Sequence, residues 1–248
     1  MTLSASQYRE MIVKTIESVG SQPAVGRAAD LLTESLTAGG VIQAFGCGHS
    51  EALAMEIAGR AGGLVPTNRI ALRDIVLFGG EPVEVLADPH LELRPEIAHR
   101  LYDLAPVKPE DAFVIASNSG VNGTIVEMAR LVKERGHALI AITSHEHSAR
   151  VESKHPSGQK LSDLADVVLD NGAPFGDAAL PLPNGGAVGA VSSITAALLA
   201  QQIVTEVVAR LLATGVDPPI YLSANVPGGR EHMVATEARY AGRIRRTA

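Results

Sequence analysis

The segment Phe45-Gly-Cys-Gly-His-Ser-Glu-Ala-Leu-Ala-Met-Glu-Ile-Ala-Gly-Arg60 decides the fold, because it passes from an apolar run through a glycine-rich turn into a helical pattern. Gly46 and Gly48 let the backbone turn tightly and come close to a ligand. Ser50 is placed to cap the helix, whose first N–H groups then point at whatever sits in the mouth, a setting that favours anions.

Working outward, residues 41–45 are bounded by glycines and read as a buried strand, and residues 50–61 as the helix that Gly62 and Gly63 close. Upstream, residues 5–19 and 23–38 carry helical periodicity, the second opened by Pro23 and ended by Gly39 and Gly40, giving an N-terminal helical pair. Downstream, residues 64–106 are punctuated by prolines and glycines and read mostly as loop, with a weak strand and a helix at 96–103. Strands are expected at 112–116, 138–142 and 167–169, a helix from about 124 to 135, a short helix at 148–153 and a turn at 155–158. A Gly/Pro-rich loop then leads into a long helix at 188–213, apolar nearly all round in its first half and so either fully buried or shared with a second subunit. Residues 217–248 form a tail with a last short helix. Strand and helix alternate, so the sheet is parallel and covered on both faces, and no linker or repeat calls for a second domain.

The chain has 248 residues, enough for one large α/β domain; 46% are hydrophobic and 3% aromatic, with no Trp. That mix suits helices packed on a parallel sheet and argues against a nucleic-acid platform of stacked aromatics. A net charge of −6 removes the electrostatic footprint of a nucleic-acid binder, and the basic stretch 239–246 reads as a solvated helix end. One cysteine, Cys47, excludes an internal disulfide and a Cys-rich metal site, making a reducing cytoplasm the default. Residues 1–9 lack a signal-peptide apolar core, and the apolar run 187–200 is too short to span a bilayer, so no membrane partner is expected.

Two strand ends carry polar, glycine-rich turns, at 46–50 and 117–124, and in an open parallel sheet both meet at the carboxyl edge where ligands bind. Gly48, Ser50, Ser117, Asn118, Ser119 and Asn122 make a phosphate cradle that requires no lysine or arginine. The dinucleotide fingerprint is incomplete, with Glu51 at its third glycine position, and no Gly-Lys-Ser/Thr ending supports a P-loop. Glu56 lies roughly 9 Å along the helix from Ser50, suiting a base that acts near C1 or C2 of a hexose whose 6-phosphate sits at the mouth. His49, Glu56 and Arg60 share a helical face. Asp170 and Asn171 end a strand beside the pocket, where they suit sugar hydroxyls or an acetamido group. Cys47, between two glycines, reads as a packing residue.

Gly46-Cys-Gly-His-Ser50, Ser117-Asn-Ser-Gly-Val-Asn122 and Glu56-Ile-Ala-Gly-Arg60 resemble the sugar isomerase (SIS) domain family, which includes phosphoheptose isomerase and N-acetylmuramic acid 6-phosphate etherase. Ile142-Thr-Ser144, His155-Pro-Ser-Gly158, Ala165-Asp-Val-Val-Leu-Asp-Asn171, Gly176-Asp-Ala178 and Ser223-Ala-Asn-Val226 resemble its single-domain branch. The resemblance covers nearly the whole chain. It implies one SIS domain over residues 1–248, with a flavodoxin-like three-layer sandwich around a five-stranded parallel sheet. It also implies a phosphate held by Ser50, Ser117, Ser119 and Asn122, and active sites at a homodimer or homotetramer interface. No metal or organic cofactor is usual for the family, although some phosphoheptose isomerases use zinc.

In phosphoheptose isomerases the Glu of a Glu-x-x-Gly-Arg segment acts as acid/base, which Glu56 matches, though the helix here is about one turn shorter from the serine. Those enzymes place a histidine on the long C-terminal helix, and residues 188–213 contain none. The partner group is then His49, Asp177 or His232. The resulting expectation is C2 proton abstraction from an amino sugar 6-phosphate followed by elimination, with isomerisation as the alternative outcome and a non-catalytic phosphosugar sensor as the alternative class.

Overall fold

A computed structural model of the chain describes residues 3–246. Met1, Thr2, Thr247 and Ala248, which the expected 1–248 domain and the polar N-terminal stretch include, lie outside the described residues. The helical pair is α1 (Ala5–Val19) and α2 (Ala24–Thr37), followed by β1 (Ile42–Gly46), α3 (Glu51–Ile57), β2 (Thr67–Ile70), α4 (Asp74–Leu77) and α5 (Glu96–Leu104). The second half runs β3 (Ala112–Ala116), α6 (Gly123–Glu134), β4 (Ala138–Thr143), α7 (His145–Ala149), α8 (Leu161–Leu164) and β5 (Val167–Asp170). It closes with β6 (Ala178–Pro181), β7 (Ala187–Ala190), α9 (Ser192–Ala213) and α10 (Gly229–Ala238).

Five strands pair in the order β2-β1-β3-β4-β5, all parallel. Alternation along β3 explains the two cores. Ala112, Val114 and Ala116 face one layer with Leu32, Leu53, Leu199, Ile203 and Val207, while Phe113 and Ile115 face the other with Leu101, Met128 and Leu139. Burial on both faces is why these strands read as continuous apolar runs. Each fully buried Leu, Ile or Val contributes about 1.5–3 kcal/mol before conformational entropy is charged against it. The order of strands reverses between β1 and β3, and the crevice beyond their carboxyl ends is the natural ligand site.

Several expectations are corrected. Ser50 lies in the helical region and makes no side-chain cap bond; a 3-10 turn at Gly48–Ser50 leads instead into α3. The helix stops at Ile57, well short of residue 61, because Ala58 is extended and Gly59 has φ +82°. The weak strand expected within 64–106 is the edge strand β2, whose Thr67 and Asn68 are buried though polar. Thr67 Oγ1 donates to the nearby Leu64 carbonyl at 3.0 Å, but the partners of Asn68 come from far along the chain: its Nδ2 donates to the Arg243 carbonyl at 2.7 Å, and Arg245 N donates to its Oδ1 at 2.7 Å. The short helix expected at 148–153 is α7, three residues earlier. The Gly/Pro-rich loop before the long helix contains the antiparallel hairpin β6–β7.

The long helix begins at Ser192 rather than residue 188, since β7 occupies the apolar residues before it. By length and composition α9 could cross a membrane, yet Leu199, Ala200, Ile203, Val207 and Leu211 are buried in the core. Nor is it buried all round, for Ile194 is 41% exposed.

The basic tail is not a solvated helix end. The Asp111 carboxylate, completely buried, accepts from Val41 N at 2.8 Å, Gln43 Nε2 at 2.9 Å, Lys108 N at 3.1 Å and Arg243 Nη2 at 2.5 Å. Arg246 donates to the Tyr221 hydroxyl and to the carbonyls of Thr67 and Val65, and Arg245 stacks on Phe78 with its guanidinium carbon 4.4 Å from the ring centre.

Candidate functional site

Gly46 ends β1, and a Cβ there would come within 2.4 Å of the Ser50 carbonyl oxygen, so only glycine permits the 3-10 turn. Gly48 takes φ +56° within it. The turn exposes His49 and half-exposes Ser50 at the mouth of a small cavity of about 20 Å³. The wall is completed by Ala52 and Leu53 of α3, Ser117 and Asn118 after β3, Asn171 after β5, and Ser192 and Ser193 at the start of α9. Both turns expected at the carboxyl edge thus meet there with the strand end at Asn171, joined by a helix N-terminus.

Ser117 Oγ accepts from Gly120 N at 3.1 Å, which fixes the turn and leaves the hydroxyl hydrogen free to donate. Asn171 Nδ2 donates to Asn118 Oδ1 at 3.0 Å, and Asn171 Oδ1 accepts from Ala173 N at 2.9 Å. The two amides are therefore oriented by each other across adjacent loops. Ser119 and Asn122 sit on the same turn but outside the wall; Asn122 precedes α6 without a side-chain cap bond.

Sequence reasoning missed Ser192 and Ser193. The signal was present, a pair of small polar residues opening an apolar helical run, but the apolar strand residues before it were taken into the helix. Asp177 organises this end. Its Oδ1 accepts from Val191 N at 3.2 Å and Ser192 N at 2.8 Å, while Oδ2 accepts from Ser192 Oγ at 2.9 Å. Both oxygens are committed to the helix N-terminus, and the carboxylate is outside the cavity wall.

The other candidates are dispersed. Glu56 lies on α3 one turn beyond Ala52, facing α9, where its Oε1 accepts from Gln201 Nε2 at 2.7 Å and pairs with Arg60. It does not line the cavity. Asp170 Oδ1 accepts from His145 N at 3.1 Å and Gly172 N at 3.0 Å, as a turn cap. His232, on α10, has Nε2 3.0 Å from the Ile220 carbonyl oxygen, away from the wall. Cys47 is buried among Phe45, Ile70 and Ile75; burial, then the nearby Glu92 and Glu51 charges, push its thiol pKa far up and leave it an inert packing group. Among the described residues His49 is the one titratable side chain in the wall, and no group of three His, Cys, Asp or Glu is arranged to hold a metal ion.

A five-stranded parallel sheet with small hydroxyl and amide groups at the β1/β3 crevice is the architecture of a SIS domain. The model of that domain matches residues 7–144, and the chain belongs to the SIS domain family. At finer grain, it is similar to a UPF0309 protein of Listeria monocytogenes, 40% identical over 224 residues and covering 89% of each chain. A UPF0309 protein of Geobacillus kaustophilus is 34% identical over 242 residues, 96% of this chain and 95% of that one. Among solved structures, phosphoheptose isomerase from Neisseria gonorrhoeae superimposes with a TM-score of 0.53 at 19% identity, covering 82% of this chain and 96% of the other. A phosphoheptose isomerase from Francisella tularensis gives 0.51 at 18% identity, covering 81% and 96%. At such identities the agreement is one of fold.

Proposed function

We propose that the chain, taken as one SIS domain, binds a sugar 6-phosphate at the β1/β3 crevice and abstracts the C2 proton of an (N-acetyl)amino sugar 6-phosphate. The composition of the cavity wall carries this reading: four serine hydroxyls, two amides and one imidazole converge on it, with no carboxylate among them. Neutral donors and a helix N-terminus are what a phosphate needs in place of its water. Ser50, Ser117 and Ser193 then hold the phosphate, since the Ser192 hydroxyl is given to Asp177, and the Asn118–Asn171 pair meets a hydroxyl or acetamido group.

Glu56 is the base in this reading, reached by a sugar lying along the junction of α3 and α9, and His49 is the partner group because Asp177 and His232 are engaged elsewhere. Phosphate binding remote from the reacting carbon supplies the energy that orients C2. Loss of the C3 substituent gives a lyase or dehydratase; reprotonation at C1 gives an isomerase. Absence of a histidine from α9 favours elimination. Met55 and Ile194, exposed on the two helices that wall the cavity, are where a second copy of the chain would complete the site. The separation of Glu56 from the wall favours a second reading, a phosphosugar sensor without turnover.

Incubation with hexosamine and heptose phosphates in D₂O, followed by NMR, separates these. Loss of the C2 proton signal, abolished by Glu56→Gln with binding retained, supports the enzyme. Saturable binding without exchange supports the sensor, and no binding by any sugar phosphate refutes both.

A further inference from the structure

The motif His155-Pro-Ser-Gly158 has no part in the cavity wall, yet it sits in a strap that holds the cradle turn from behind. Lys154 N donates to the Val121 carbonyl and Leu161 N to the Gly120 carbonyl, both at 2.9 Å. These two carbonyls belong to the Ser117-to-Asn122 turn, and neither Gly120 nor Val121 lines the cavity. Gly120 bends there at φ +68°, and an added Cβ would press on Thr143 Oγ1 at 3.2 Å, so the turn has little room to relax.

The strap is itself tied to α6, the helix that follows the turn. His155 is buried, and its Nε2 meets Glu127 Oε2 at 2.8 Å. Its Nδ1 accepts from Ser157 N at 3.1 Å, which puts the ring proton on Nε2, facing the carboxylate. The other Glu127 oxygen meets His99 Nε2 of α5 at 2.7 Å, with Arg130 Nε 3.5 Å from Oε2. A second tie runs from Arg130 Nη1 to Gln159 Oε1 at 2.7 Å.

We propose that His155 is a positioning residue for anion binding: through Glu127 it fixes the strap, and through the strap it keeps the Gly120 and Val121 carbonyls turned away from the cradle. This rests on the anion-binding reading above. A carbonyl swung toward a phosphate oxygen replaces a donor with a repelling acceptor, so loosening the strap weakens binding without touching any wall residue.

The test is a ³¹P NMR titration with inorganic phosphate. His155→Ala weakens binding about tenfold or more, the usual effect of removing a partner that orients a binding group, and speeds amide exchange at Lys154 and Leu161. His155→Gln, whose amide reaches Glu127 from the place of Nε2, restores most of the affinity. Ser157→Ala, which removes the hydroxyl contacts at His155 Nδ1 and Gln159 N but leaves the Nε2 tie to Glu127, binds as the wild type. His155→Asn, too short to reach Glu127, shows the same loss and stands in if the alanine chain does not fold. Wild-type affinity in the alanine or asparagine variant, or a glutamine variant no better than either, overturns the inference alone. A wild-type chain that binds no phosphate overturns the anion site and this inference together.

Discussion

Replacing Asp177 separates two roles that the sequence left open. Its carboxylate takes two backbone N–H groups and one hydroxyl at the start of α9, and its backbone holds φ +68°, a region that asparagine tolerates and alanine does not. Asp177→Ala loses the cap, about 1–2 kcal/mol, and adds the cost of a left-handed alanine, about 1 kcal/mol, for a total near 2–3 kcal/mol. Asp177→Asn keeps an acceptor oxygen and the backbone preference, giving up mainly the charge at the helix terminus, about 0.5–1 kcal/mol. In urea, with a slope of about 2.5 kcal/mol per molar, the alanine midpoint falls by about 1 M and the asparagine midpoint by under half of that. The asparagine variant also keeps its sugar phosphate affinity and C2 exchange, because Ser192 remains held. An asparagine variant of full stability that has lost exchange would refute the cap and make Asp177 the partner acid. An alanine variant as stable as wild type would show that the bonds contribute nothing.

Arg243→Met leaves the buried Asp111 carboxylate with three neutral donors; breaking a buried pair costs about 3–5 kcal/mol. Arg243 Nε is itself buried without a partner, which places the loss near the lower figure, read by urea unfolding; a loss under 1 kcal/mol would make the tail ornamental. His137 is kept below the ordinary histidine pKa by burial, while its hydrogen bond to the Asp111 carbonyl opposes the shift. Its neutral form stabilises the fold fully above about pH 6.5, and that contribution is lost as pH falls further, with a slope of at most about 1.4 kcal/mol per unit. His137→Gln should flatten the stability profile between pH 7 and 5; an unchanged slope assigns it to other groups. The Cys47 thiol, with its raised pKa, should resist iodoacetamide at pH 8 in the folded chain and react fully in urea, as read by mass spectrometry.

The parallel sheet was legible because strands buried on both faces show as short apolar runs between glycines. Strand β2 showed only as a weak strand without bounds, since the chemistry that makes Asn68 acceptable in the interior comes from residues about 175 positions away. The same holds for Arg243 and Arg246, whose partners on β2 and before β3 give no local sign. Within the site, residues at the ends of apolar strands, such as Ser50, Ser117 and Asn171, could be placed by topology alone. Ser192 could not, because a hairpin of small residues looks like helix when only its hydrophobicity is read. Glu56 was placed on its helix, but sequence spacing says nothing of the Gln201 that holds it, or of its position outside the cavity wall.

The arginine latch on Asp111 also bears on the order in which the molecule is assembled. Arg243 follows Asp111 by 132 positions, so a ribosome makes the strands β1 and β3 long before it makes the cation that neutralises the carboxylate between their starts. Until then Asp111 has only the neutral donors Val41 N, Gln43 Nε2 and Lys108 N to replace its water. Replacing Arg243 would therefore lower folding yield before it altered the finished cavity, whose wall it does not touch.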